Sequence, residues 1–298
     1  MKSYTTARNL FGVNTKNTNS TNLSYGDQIA NDKYRHICSK RDWPFLERLR
    51  TLLTTTSQFV NLPYDCDQVR EVAVIVGTTR YVPKIITSRA EWDRLNLSTF
   101  TSNIPEYCFV FAGQLGLWPT PATAGSTINV TQKSRVIDLS AADYTTGAIV
   151  SITNGATALV GSGTTWTSQM VGRYIKITPT DVAGTGDGVW YEISAVPTAT
   201  TITLVRAYGG TTIAAGSATY TIGQMPLLPE AYHDTPWKGA AAEYWSKEAD
   251  DRASFYQAQF DADIKELDRA WSSPTTNMVI DSGDDRVMDN PNLHISLS

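Results

Sequence analysis

Residues 145–224 change the character of the chain: of these eighty, only Arg173, Lys176, Asp181, Asp187, Glu192 and Arg206 are charged. Six runs rich in β-branched and aromatic residues recur there: AIVSI, ATALVGSG, RYIKITP, VWYEISAV, TTITLV and ATYTIG. Gly, Thr, Asn and Pro turns separate them. Short strands at that spacing predict a self-contained all-β sandwich or barrel. The low charge fits either a surface held against something else or a Thr-rich exterior.

The chain leaves this β stretch for a helix. LLPEAYHDTPWKGAAAEYWSKEADD begins at Leu227, and Ala241, Trp245, Ala249, Ala253, Tyr256, Phe260, Ile264, Leu267 and Trp271 then recur at close to the helical repeat. Read as one helix from Trp237 to Trp271, it extends ~50 Å at about 1.5 Å per residue. A helix of that length with one apolar face needs a partner surface. Within the chain the best partner is an N-terminal helix.

Such a helix is signalled by NLSYGDQIANDKYRHICSKRDWPFLER, in which Ser24 and Asp27 form a capping box and Ile29, Tyr34, Ile37 and Cys38 share a face. Trp43-Pro44 ends it, because the residue before proline is pushed out of the α region. The preceding residues 1–21 are polar and rich in Asn, Thr and Ser, and read as extended or wrapped on a partner. They contain no apolar run of the secretory type. After residue 51, LTTTSQFVNLP, REVAVIVG and TRYVPKIIT read as strands, SRAEWDRLN as a short helix capped by Ser88, and PEYCFVFAG with QLGLWPTP as a hairpin. STINVTQKSRVIDLS reads as a further strand.

Pro274 breaks the last helix. The remaining tail carries Asp281, Asp284, Asp285 and Asp289 against Arg286, with apolar residues kept at its end, Leu293, Ile295 and Leu297. Too polar to fold alone, it is read as disordered or docked on another protein. Alternate spacing puts those three side chains on one face of an extended segment.

Little in the sequence points to catalysis. His36, His233 and His294 are scattered and form neither a metal set nor a triad. GTGDG at 184–188 lacks both the dinucleotide spacing and a phosphate-binding lysine, and reads as a hairpin loop. DSGDD at 281–285 lacks the spacing of a calcium loop. Cys38, Cys66 and Cys108 lie far apart and read as reduced, buried thiols. No cofactor is expected. A net charge of −4 gives no electrostatic grip on nucleic acid.

IANDKYRHICSKRDWPF, TTTSQFVNLPYDCDQVREVAVIVGTTRYVPKIITSRAEWDRLN, YCFVFAGQLGLWPTPATAGSTINV and LLPEAYHDTPWKGAAAEYWSKE together resemble the head-to-tail connector (adaptor) proteins of tailed bacteriophages, particularly the short-tailed kind. The resemblance covers residues 24–140 and 225–271. It implies an α+β fold, in which a helical core from the N- and C-terminal helices carries β-hairpins and an inserted all-β sandwich or barrel. The corresponding divisions are residues 1–143 for the first part of the adaptor core, 144–224 for the insert, 225–272 for the long C-terminal helix and 273–298 for the extended tail.

The implied function is mechanical and non-enzymatic. Adaptor subunits form a ring of twelve beneath the portal protein, extend the DNA channel and offer a platform to a downstream tail or nozzle protein. Genomic DNA then passes through without specific binding. The protein is expected at the head–tail interface of the virion, and in the host cytoplasm during assembly. Leu293, Ile295 and Leu297 would dock on portal or a neighbouring subunit. Trp245, Tyr256, Phe260, Ile264, Leu267 and Trp271 would serve helix packing or the subunit interface, and the β insert would face capsid or tail fibres. The alternative is a tail-fibre or receptor-binding protein, with Trp166, Trp190 and Tyr191 as an aromatic platform for a host glycan. A virion glycan hydrolase lacks a recognisable pair of acidic residues.

Overall fold

Tyr4, Ala7 and Phe11 recur on one face of a helix that the polar composition around them conceals. The computed structural model describes residues 1–97, 100–179 and 186–271. It opens with α1 (Tyr4–Asn14), whose cap Ser3 accepts the Thr6 N–H, so the expectation of an extended arm over residues 1–21 is overturned. Only those three apolar positions carry the helix, and it is their burial against later elements that fixes it. The next helix, α2 (Ser20–Ser39), is capped by Asn19 rather than by Ser24. Asp27 instead pairs with Arg8 of α1 at 2.9 Å. Gly26 lets the two helices meet, since a Cβ there would stand 2.3 Å from the Phe11 ring.

The chain then forms β1 (Glu47–Leu53), β2 (Phe59–Asn61), β3 (Cys66–Val76), β4 (Thr79–Tyr81), β5 (Lys84–Ile86), α3 (Arg89–Leu95), β6 (Tyr107–Phe111), β7 (Gln114–Trp118) and β8 (Thr127–Ser134). Two four-stranded sheets result, ordered β1-β8-β3-β4 and β2-β7-β6-β5. Val72, Val74, Ile128 and Val130 of the first share one cluster with Cys108, Leu115 and Leu117 of the second. Successive side chains alternate between faces, so Phe109 points the other way and stacks on Trp92 of α3 at 5.3 Å. Ser88 caps α3 as its sequence predicts.

All six strands expected between 145 and 224 form: β9 (Ala148–Ile152), β10 (Ala158–Ser162), β11 (Tyr174–Ile177), β12 (Trp190–Thr198), β13 (Thr201–Leu204) and β14 (Tyr220–Gly223). They make one sheet, β14-β11-β12-β13-β10-β9. The run leading into β14 bridges back to β9 through Ile149–Ala218 and Ile152–Ile213, which curls the sheet toward a barrel. This unit has its own buried cluster. Trp166 and Tyr191 belong to that interior, 3% and 5% exposed. The aromatic platform proposed for a glycan is therefore not a surface: two of its three rings are core.

The expected single C-terminal helix is two helices, α4 (Thr235–Lys247) and α5 (Arg252–Trp271), packed against each other. The break is a Schellman turn. Ala249 adopts φ +52°, its N–H bonds the Ser246 carbonyl at 3.2 Å, and the Asp250 N–H bonds the Trp245 carbonyl at 3.1 Å. Folding back lets both halves of the apolar stripe face the same core. Lys238 of α4 reaches Asp263 of α5 at 2.7 Å, and Gly239 lets the helices close, with a Cβ there 3.0 Å from the Phe260 ring. α4 is the central helix, packed on α2 and α1, as the expected N-terminal partnership requires. The protein is thus α+β: a helical core from both ends of the chain, a sandwich of hairpins, and a second all-β unit.

Candidate functional site

The six α4 and α5 residues expected at a packing or subunit interface divide by burial. Trp245, Phe260 and Leu267 are 6%, 8% and 1% exposed, and Phe260 and Leu267 join the main helical cluster. Tyr256 and Ile264 are half-buried against it. Trp271 is 37% exposed and rests edge-on against Phe45 at 5.7 Å. Leu293, Ile295 and Leu297 lie outside the described residues. Cys38 and Cys108 are buried and all three cysteines are free, but Cys66 is only half-buried.

The helical core and the six-stranded unit are joined by two adjacent segments. Tyr144 and Ile222 exchange backbone hydrogen bonds of 2.8 Å in both directions. Gln224 clamps the crossing: its Nε2 donates to the Asp138 carbonyl at 2.8 Å, while its Oε1 accepts the Ser140 and Ala141 N–H groups at 2.9 and 2.8 Å. The N-terminus is bound into the same junction. The Tyr4 N–H donates to the Gln224 carbonyl at 2.7 Å, and Ser3 Oγ donates to Asp143 at 2.8 Å. Nearby, His233 is buried with Nε2 2.9 Å from the Leu228 carbonyl, and burial lowers its pKa below the ordinary value of 6.5.

Beside this junction the β1–β8 edge of the first sheet faces the six-stranded unit across a cleft of about 270 Å³. Arg48 bonds Glu192 at 2.9 Å, Arg50 binds Asp65, and the Tyr64 hydroxyl donates to the Val171 carbonyl at 3.1 Å. Two buried polar atoms on the cleft residues have no partner among the described residues, Arg50 Nε and Ser134 Oγ. Sequence reasoning singled out none of this, because residues as distant as Arg48 and Glu192 carry no local signature.

Among the described residues, no group of three or more His, Cys, Asp and Glu side chains is placed to hold a metal ion. The fold consists of a packed helical core, a sandwich, and an all-β unit joined to the core through the Gln224 clamp. Residues 6–153, about half of the chain, match the family described as SU10 adaptor protein. The match indicates a phage adaptor, a structural protein of the virion at the head–tail junction. The match runs from α1 to the residue after β9, so α4, α5 and the rest of the six-stranded unit lie beyond it. No curated protein matches the chain.

Proposed function

We propose that this adaptor assembles as a ring of twelve beneath the portal, extends the DNA channel, and offers its outer face to a tail or nozzle protein. The family match over residues 6–153 carries the reading. The net charge of −4 supports a channel past which DNA slides, since phosphate-gripping lysines and arginines would retard it. In this reading residues 144–224 are a domain inserted into the adaptor and turned outward, against capsid or tail fibres. The adjacency of Tyr144 and Ile222 supports it, because an inserted domain must return the chain near where it left.

Of the six α4 and α5 residues expected at an interface, Trp271, exposed at the end of α5, is the one suited to a neighbouring subunit. Leu293, Ile295 and Leu297 dock on portal or neighbour, the ordering entropy being met at assembly. Subunits wait in the host cytoplasm until portal-bearing heads are available. The test is to mix the purified chain with portal rings and weigh the product by native mass spectrometry. Twelve copies per portal ring are expected. A chain that forms no complex with portal, or joins it at another fixed ratio, would overturn the reading.

A further inference from the structure

We propose that the cleft between the β1–β8 edge and the six-stranded unit is the seat of the acidic stretch at residues 281–289 of the same chain's tail. The cleft is lined by Arg48, Arg50, Arg135 and Arg173 against three carboxylates, Asp65, Asp138 and Glu192. Asp138 is drawn aside by an ion pair with Arg35. Glu192 and Asp65 are taken up by Arg48 and Arg50. Arg135 reaches only the Cys66 carbonyl, at 3.4 Å, and Arg173 meets no carboxylate among the described residues. Burial disfavours the charged form of Arg173, and a partner carboxylate would restore it.

The groups left without partners are of one chemical kind. Arg50 Nε is a donor, Ser134 Oγ is 97% buried with a hydroxyl proton to give, and the two uncommitted guanidiniums are donors only. A ligand that satisfies all of them accepts hydrogen bonds and carries negative charge, which describes a carboxylate. The tail supplies Asp281, Asp284, Asp285 and Asp289 with a single opposing Arg286. It also starts in the right place. Trp271 borders a hollow that shares Arg48 and Leu227 with the cleft. The ten residues from there to Asp281 can span up to ~33 Å.

The proposal is independent of the ring, and its test uses the intact chain without portal. Arg286 is the only lysine or arginine after Arg269, so trypsin cuts the tail at one place. Cleavage there, followed by mass spectrometry at low salt, is expected to be about tenfold slower than in a free peptide of residues 272–298, because proteolysis tracks the undocked fraction. Changing Arg135 and Arg173 to Ala together should bring the rate close to that of the peptide. So should changing the four tail aspartates to Asn, compared with a peptide of the same altered sequence. The second variant lies outside the packed core and decides the matter if the first fails to fold. Equal rates in parent and peptide, or protection that survives the aspartate changes, would overturn the proposal. Protection that fades on dilution would move the occupant to a second copy and overturn its intrachain form.

Discussion

The Arg252 guanidinium lies over the Trp245 ring, 3.3 Å from its centroid, at the corner where α4 gives way to α5. Asp250, between them in sequence, bonds the same guanidinium at 2.7 Å, and the pair holds the Asp250 carboxyl down at about 2. Tryptophan, arginine and aspartate together close a turn whose left-handed residue is an alanine.

That alanine is the first point of test. An L side chain in the left-handed region costs roughly 1 kcal/mol that glycine does not incur. Ala249→Gly should therefore stabilise the protein by about 0.5–1 kcal/mol, or ~1–3 °C in thermal unfolding. Were Ala249→Gly to destabilise, the two-helix corner would be wrong and a continuous helix through residues 247–252 would have to be reconsidered.

Burial separates the roles of the α5 side chains. Phe260→Ala should cost ~3–5 kcal/mol and Leu267→Ala ~2–5 kcal/mol, because both leave cavities in a packed core. Trp271→Ala, at a residue 37% exposed whose ring rests on Phe45, should cost less stability than either and weaken assembly with portal. Unfolding in urea and native mass on mixing with portal read the two effects apart. A Trp271→Ala variant that assembles at parental affinity would remove this residue from the interface.

The six-stranded unit should be separable. Replacing residues 146–222 with a short Gly/Ser linker is expected to leave a soluble protein whose helical circular dichroism per molecule is unchanged. The buried cluster of the helical core draws no side chain from that stretch, which is why the core should persist. Collapse of the helical signal would refute the inserted-domain reading.

His233 should give the protein an acid sensitivity. Burial lowers its folded-state pKa below 6.5, so the unfolded chain binds the proton first as pH falls. Stability then declines from about pH 6.5 down to the folded-state value and levels off beneath it. The Met1 amino group and Glu230 push this pKa in opposite directions and pair with each other. In urea titrations at a series of pH values, His233→Gln should flatten that decline. An unchanged slope would show that another group governs it.

Elements with local punctuation were legible in the sequence. Ser88 announces α3, and Gly/Thr/Asn turns separate the six strands of the second β unit, whereas α2 stops at Ser39, short of the expected end at Trp43-Pro44. α1 escaped notice because three apolar residues among Asn and Thr define a helix only once Trp237 and Tyr244 lie against Phe11. The α4–α5 corner escaped because the apolar repeat runs through it unbroken, and alanine stands where glycine would have signalled a stop. Neither the cleft nor the Gln224 clamp is visible locally, since Arg48 and Glu192 are 144 residues apart and Gln224 reaches back 86 to Asp138.

The junction at Tyr144 and Ile222 also sets how the protein responds to load. Its two strands enter the six-stranded unit side by side, so a pull on that unit tensions both in the same direction. An antiparallel pair stretched from one end opens like a zipper, one rung at a time, whereas strands dragged past each other must lose every rung together. The two 2.8 Å bonds between Tyr144 and Ile222 are the rung nearest the core, with the Gln224 amide behind them. The seam does not carry the six-stranded unit by itself: Arg48 on Glu192 and the Tyr64 hydroxyl on the Val171 carbonyl also tie that unit to the sandwich, so a pull on it loads the cleft contacts together with the seam.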